Sequence, residues 1–408
     1  MSVVKQKPPS PQVQAQDVST SSSINSKIEE LRQKFNTLRD YLNAKIVGHQ
    51  EMVDATLLGL ISGENVVLIG SPGTAKSMLA SVVTESIQGA RVFKYLLTKY
   101  TDYAELFGAI DVAELAKGNY TRRWSPIVSS DIIFLDEIFK ANSAILNSLL
   151  SLLNEHIIYD PMTGQSIPTS NKLVIGASNE IPEEEELRAL YDRFPIKVFI
   201  KYIQAKDIEL ALDATWSNVN VAKPNVTIND VVEAQDVVKK IFTMTIKTSS
   251  GNVTLIEYYK FIATSVISEL RKEGIMLSDR TVISKIPKIV SAKVLLEGGD
   301  AVFMAPFDAI KLVAGTPEEK QKVEEKIMAS LGSVNELANK LNNAKALIKA
   351  KKFDEAEVVL KEILQADLSK VPTFFVPVAK EIMRKAEAML RKLDELSKQI
   401  ENDDDKSD

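Results

Sequence analysis

The chain has 408 residues, of which 45% are hydrophobic and 26% charged, with a formal net charge of −5. That balance suits two or three folded domains and gives the whole molecule no pull towards nucleic acid or an anionic membrane. There is no cysteine and there are only two histidines, His49 and His156, which excludes disulfides, thiolate nucleophiles, thiolate zinc and multi-histidine metal sites. Chemistry must rest on carboxylates, lysine, arginine and hydroxyls. No apolar run is long enough to span a bilayer and the N-terminus has no signal pattern, so a cytoplasmic protein is expected.

Residues 1–23 are rich in proline, glutamine and serine and read as a disordered tail. Ile28, Leu31, Phe35, Leu38, Leu42 and Ile46 then recur at helical spacing. From 65 to 200 short apolar runs (Val66–Ile69, Val92–Leu97, Ile132–Leu135, Leu173–Ala177, Lys197–Ile200) alternate with helical stretches. This predicts an α/β core with a mainly parallel sheet over residues 24–200. Residues 106–124, with a Gly118-Asn119 turn, and 156–173, with Asp160-Pro161 and Thr163-Gly164, read as hairpins inserted between core elements. Residues 201–315 are helical in pattern, with short extended pieces near 226 and 242–255. Residues 316–400 carry three helical sets: Val334, Leu337, Leu341, Ala344, Ile348; then Phe353, Ala356, Leu360, Ile363; then Ile382, Ala386, Leu390, Leu393, Ile400. They predict a small hairpin or bundle, followed by an acidic tail at 401–408.

The strongest local signal is Gly70-Ser71-Pro72-Gly73-Thr74-Ala75-Lys76-Ser77, after the run Val66–Ile69 and before the helical Met78-Leu79-Ala80. A loop of this kind turns backbone N–H groups inward at a helix N-terminus and makes an anion nest. Lys76 would add a charge at the β- and γ-phosphates, and the Ser77 hydroxyl can ligate Mg²⁺. Ala75 stands where the usual pattern has glycine, and alanine disfavours positive φ; on the motif alone, a small-residue turn before a helix remains the alternative. The second signal is Asp131-Ile132-Ile133-Phe134-Leu135-Asp136-Glu137, an apolar strand ending in two carboxylates. Asp136 would hold Mg²⁺ and Glu137 would polarise the attacking water. Asn171-Lys172-Leu173-Val174 and Thr98-Lys99-Tyr100-Thr101 lack the aspartate of a guanine-specificity motif, which favours ATP.

This order of motifs resembles AAA+ ATPases of the MoxR family, whose P-loops also carry alanine before the lysine. Residues 132–156 and 173–194 are similar to the RavA-like branch. The resemblance covers roughly residues 27–315. It implies a P-loop core, a helical lid at 201–315, and further roles. Asn179 matches sensor 1, Arg193 the arginine finger with Arg188 in reserve, and Arg280 sensor 2. Ile46-Val47-Gly48-His49 resembles the stretch that packs on adenine, and the expected ATP-binding set is Val47, Gly48 and His49 with the loop residues from Gly70 to Met78. The two hairpins match inserts that project towards the ring pore, where Tyr120, Arg122, Arg123 and Trp124 could meet a substrate; a solvated hairpin with a packed tryptophan is the alternative.

The expected reaction is Mg-dependent hydrolysis of ATP to ADP and phosphate. The resemblance implies a self-assembled ring, six subunits being usual, a partner with a von Willebrand factor A (VWA) domain, and chaperone-like remodelling of protein clients. A DNA motor or loader is the alternative, against which the acidic balance counts.

Overall fold

The computed structural model describes residues 14–216, 221–248, 251–350, 352–371 and 376–404. They fall into two compact units, residues 1–194 with 200–240, and residues 195–199 with 241–408.

In the first unit α1 (Gln14–Lys45) and α2 (Gln50–Ser62) lead into β1 (Val66–Gly70), α3 (Lys76–Ser86), β2 (Val92–Leu96), β3 (Ile132–Asp136), α4 (Ser143–Glu155) and β4 (Leu173–Ser178). With β5 (Ile196–Ile200) the strands form a five-stranded sheet in the order β2-β3-β4-β1-β5. Pairing is parallel where Val92 faces Ile132, Ile132 faces Leu173 and Val66 faces Ile175. The five apolar runs of the sequence are these five strands. The inner ones read as unbroken apolar runs because helices cover both faces: Ile132–Leu135 and every residue of β4 are buried.

Leu31, Phe35, Leu38 and Leu42 of α1 are fully buried, the helical stripe doing what its spacing predicts. The helix starts at Gln14, so the tail expected over 1–23 is corrected: residues 14–23 are helical, and 1–13 lie outside the described residues. Extending an existing helix needs no new nucleation, and nothing after Pro11 forbids it. At the other end, helix Val376–Asp404 runs into the acidic stretch; 405–408 lie outside the described residues.

The two insertions differ from each other. Residues 157–168 form an antiparallel hairpin, Ile157 opposite Pro168 and Tyr159 opposite Ser166. The earlier segment pairs antiparallel around the bridge of Ile110 with Arg122, where the N–H groups of Asp111, Arg123 and Ser125 donate to the carbonyls of Thr121, Ala109 and Phe107. Between them runs a helical turn, Val112–Leu115, because Asp111 caps it by accepting the N–H groups of Ala113 and Glu114.

Residues 200–240 belong with the first unit, so the compact division falls about forty residues after the expected boundary at 201. Long-range polar contacts explain this. In α6 (Ile228–Ile241), which follows α5 (Ala205–Trp216), Asp230 pairs with Lys34 at 2.7 Å, and Gln235 donates to the carbonyls of Leu60 and Lys172 at 2.9 and 3.1 Å. Val226 and Thr227 pair in parallel with Ile87 and Gln88.

The second unit holds a hairpin, Thr245–Thr248 with Gly251–Thr254, and helices including Ile286–Glu297 and Ala305–Leu312. The three periodic sets after 316 fall on Ser333–Lys349, Phe353–Leu364 and Val376–Asp404, with a further helix, Pro317–Leu331, before them. Val334, Ala344, Ala356, Leu360, Ile363 and Ala386 are buried between these helices. Among the described residues no helix is long and apolar enough to cross a membrane.

Candidate nucleotide site

The site sits where the parallel strands end. β1 delivers Gly70, β3 delivers Asp136, and β4 is followed directly by Asn179. A Cβ on Gly70 would lie 2.5 Å from the carbonyl oxygen of Ile200, so only glycine fits this close approach of two chains. The loop then turns through Gly73, φ +79°, and Ala75, φ +60° and ψ +16°. Ala75 thus adopts the left-handed conformation its motif position demands, at a cost of about 1 kcal/mol. Its side chain has no hydrogen-bonding group, and α3 begins without a side-chain cap. The N–H groups of that first turn are therefore available to an anion.

Lys76 is buried, at 8% exposure. Its ammonium donates to the carbonyls of Gly70 and Ser71 and, at 3.1 Å, to Asn179 Oδ1. That bond fixes the amide of Asn179, whose Nδ2 donates to Glu137 Oε1 at 2.7 Å. Ser77 Oγ donates to Asp136 Oδ2 at 3.1 Å, and Asp136 Oδ1 accepts the Glu137 N–H at 3.0 Å. Burial pushes the Lys76 ammonium below its ordinary pKa, while the charges of Asp136 and Glu137 pull it back. Glu137 itself sits at φ +52°, a left-handed residue closing the strand.

The cleft at this point measures about 560 Å³ and is lined by Pro72 to Met78, Asp136, Glu137 and Asn179. Gly70 and Ser71 do not line it; they serve through the carbonyls that hold Lys76. The donor set fits the ligands expected. Ser77 and Asp136 offer two hard oxygens side by side, which suits a small divalent cation that keeps water and phosphate oxygens in its shell. Among the described residues no group of three or more histidine, aspartate or glutamate side chains could hold a metal ion by itself.

A second cavity, about 340 Å³, continues from the first and shares Gly73, Thr74, Ala75 and Met78 with it. Ile46, Val47 and His49 form one wall, and Tyr202, Ile203, Ala211, Ala214 and Thr215 another. The second wall was not foreseen; its signal in the sequence is Ala211 with Ala214 and Thr215 at helical spacing on α5. Gly48 is not in the lining: at φ +82° it turns the chain, with Ile203 2.8 Å from where a Cβ would stand.

His49 lies half-buried at this cavity, and burial holds its pKa below the ordinary value, against the charge of Asp207. The unfolded chain then binds more protons than the folded one just below pH 6.5. Stability should fall as pH drops from about 6.5 through the lower folded value. Denaturant midpoints at acidic and neutral pH should diverge less for His49→Gln than for the wild type.

The remaining candidates lie outside both cavities. Arg193 follows helix Glu185–Tyr191; its carbonyl accepts from Asn65 at 3.3 Å, and its Nε is buried with no partner. Among the described residues it makes no ion pair with Asp192. Arg188 is exposed on the same helix. Arg280 is exposed in the second unit, just before the turn Thr281–Lys285; Ser278 Oγ accepts the Thr281 N–H at 3.2 Å, and Asp279 pairs with Arg271 at 2.6 Å.

Tyr120 and Arg122 are engaged within the chain itself. The Arg122 and Asp160 side chains are each only 4% exposed, with Nε 2.9 Å from Oδ2. Arg122 also donates to the Gly108 carbonyl at 2.6 Å and to Tyr120 Oη at 2.9 Å, and Tyr120 donates to Asp160. Together they staple the two insertions. Arg123 is the exposed member, paired with Asp111 at 2.7 Å.

A family model of MoxR domains from MoxR-vWA-β-propeller ternary systems matches residues 33–240, just over half of the chain. The chain belongs to the MoxR family of AAA+ ATPases. The match establishes the family and does not assign the RavA-like branch. Within the curated proteins, an uncharacterized protein of Methanocaldococcus jannaschii is 33% identical over 294 residues, 71% of this chain and 74% of that protein. The chaperone MoxR1 of Mycobacterium tuberculosis is 21% identical over 201 residues, 48% of this chain and 52% of that protein. The crystal structure of a candidate ATPase from Cytophaga hutchinsonii shares the fold, with a TM-score of 0.53 and 22% identity over 74% of this chain and 88% of that one. The MoxR match ends at 240, where the first compact unit also ends.

Proposed function

We propose that this MoxR-family protein hydrolyses ATP to ADP and phosphate in a Mg-dependent reaction, and that it does so as a ring. The observation that carries the reading is the hydrogen-bonded chain from Lys76 through Asn179 to Glu137. It joins the phosphate-binding lysine to a carboxylate through an amide whose orientation both ends dictate. A γ-phosphate would draw the Lys76 ammonium from its carbonyl partners, and Asn179 would feel that change. Glu137, held by Asn179, would orient the attacking water and take up its proton. A magnesium ion held by Ser77 and Asp136 would supply charge neutralisation at the β- and γ-phosphates.

Arg193 lies outside the cleft of its own chain and has no carboxylate partner at Asp192. Both points support its acting on a neighbour's nucleotide, where a permanently charged guanidinium stabilises transition-state charge. Arg280 would serve as sensor 2. The ring's work would be chaperone-like remodelling of protein complexes. The name of the matched family model, taken from ternary systems that include vWA proteins, supports a VWA-domain partner.

The test is phosphate release from ATP with and without Mg²⁺, beside solution mass by light scattering. Glu137→Gln should bind ATP and hold the assembled state, giving a nucleotide-dependent rise to about six subunits. A monomer at saturating Mg-ATP would overturn the self-assembled ring, and no phosphate release at any protein concentration would overturn the ATPase.

A further inference from the structure

The turn after Arg280, Thr281–Lys285, is a π turn at the head of helix Ile286–Glu297. Its cause is in the sequence. Ser278 caps the start: its Oγ accepts the Thr281 N–H at 3.2 Å and its carbonyl the Val282 N–H at 3.0 Å. Pro287 follows, with no N–H and a ring that crowds the carbonyl one turn back. The chain takes in an extra residue there, so the Ile286 N–H donates to the Thr281 carbonyl rather than to that of Val282. The next donor in a π pattern would be residue 287, and proline has none. Val282 thus loses both of its helical donors. Tyr259 supplies one from outside the helix, its Oη donating to the Val282 carbonyl at 2.6 Å. Tyr259 is buried, with its ring edge-on to Phe242 at 5.6 Å. Burial pushes its hydroxyl pKa up, so the group stays a donor.

The extra residue decides where Arg280 points. In an unbroken α-helix Arg280 would share a face with Pro287, Ser291 and Val294, all of them buried. One added residue swings everything before it by about 100°. Arg280 is exposed, which suits a guanidinium that must meet a charged ligand.

Resting on the reading of Arg280 as sensor 2, we propose that Tyr259 is its positioning residue: the hydroxyl stands in for the amide that Pro287 lacks and holds the π turn that faces Arg280 outward. Without that bond the turn relaxes towards a regular helix or opens to water, and the guanidinium loses its fixed direction. A buried hydrogen bond of this kind biases such a choice by about three- to tenfold.

Single-turnover hydrolysis of Mg-ATP by the full chain, at saturating nucleotide and with assembly checked by light scattering, tests this in two backgrounds. Tyr259→Phe keeps the ring against Phe242 and removes only the donor. It should slow hydrolysis by about three- to tenfold in the wild-type chain, and by less than about twofold beside Arg280→Ala, because the two residues act as one unit. A second measurement needs no turnover. The chain has no cysteine, so Arg280→Cys places a single thiol whose labelling reports its exposure. Adding Tyr259→Phe with Pro287→Ala, which returns the missing N–H, should slow labelling by about three- to tenfold. Equal slowing of hydrolysis in both backgrounds, no slowing in the wild-type chain, or labelling indifferent to the added changes would overturn the positioning role and leave the ATPase standing. If Arg280→Ala hydrolyses ATP as fast as wild type, the sensor 2 reading falls and the role of Tyr259 with it.

Discussion

Replacing Asp160 with alanine is expected to cost the first unit about 3–5 kcal/mol of stability, because it leaves the Arg122 guanidinium buried without its counter-charge. Both side chains are 4% exposed. Asp160 also accepts the N–H groups of Met162 and Thr163 at 2.8 and 3.4 Å, so its loss frees turn donors as well. Burial pushes the Asp160 carboxyl up, but Arg122, the Met162 N–H and Tyr120 together hold it below its ordinary value. A depressed carboxylate contributes stability above its unfolded pKa of about 4 that is lost as pH falls through the folded value. The wild type should therefore lose more stability than Asp160→Ala on acidification. Denaturant unfolding followed through Trp124, 5.7 Å from the Arg122 guanidinium carbon, reads both effects. The double variant Arg122→Met with Asp160→Leu should recover much of the loss, since removing both charges leaves neither unpaired. A loss under about 1 kcal/mol in Asp160→Ala would mean the staple is solvated in solution.

Glu137→Gln is expected to lower kcat by about 10²–10⁴ while leaving ATP affinity near wild type, the usual worth of a positioned general base. The amide keeps an oxygen for Asn179 Nδ2, so the Lys76–Asn179 link survives and only basicity and charge are lost. Asn179→Ala should slow hydrolysis too. Added to Glu137→Gln, it should slow it little further, because the two side chains act as one unit. Full additivity in single-turnover rates would show instead that Asn179 works independently of Glu137.

Much of this was legible in the sequence because the informative residues are neighbours in the chain. A strand, a loop and a helix N-terminus lie within twelve residues at the P-loop, and a strand and its terminal carboxylates within seven at Asp136-Glu137. The periodic sets from Val334 to Leu393 likewise report their own helices. What stayed hidden depends on contacts between distant residues. Asp160 reads as an ordinary turn residue before proline, and nothing local marks it as the partner of Arg122, thirty-eight residues away. The pattern after 200 shows helices but not their neighbours, and so placed the division near 201. Lys34 with Asp230, and Gln235 with two carbonyls of the first unit, move it to 240. Ala75 departs from the usual glycine by residue type alone, since its backbone takes the glycine's conformation.

α5 has no buried residue, yet Ala211, Ala214 and Thr215 wall the smaller cavity. Ile208, Leu212 and Trp216 of the same helix are 46%, 55% and 80% exposed. A helix of twelve residues with so little packing lies near the limit of what persists alone in water. A nucleotide base in the cavity would add burial to Ala211, Ala214 and Thr215. Base binding and helix order should then be thermodynamically linked, each raising the population of the other. Part of the gross binding energy would go into ordering the wall, so affinity would understate the contacts made. Amide exchange along 205–216 would slow when the cavity fills, making the helix a gauge of nucleotide occupancy within a single subunit.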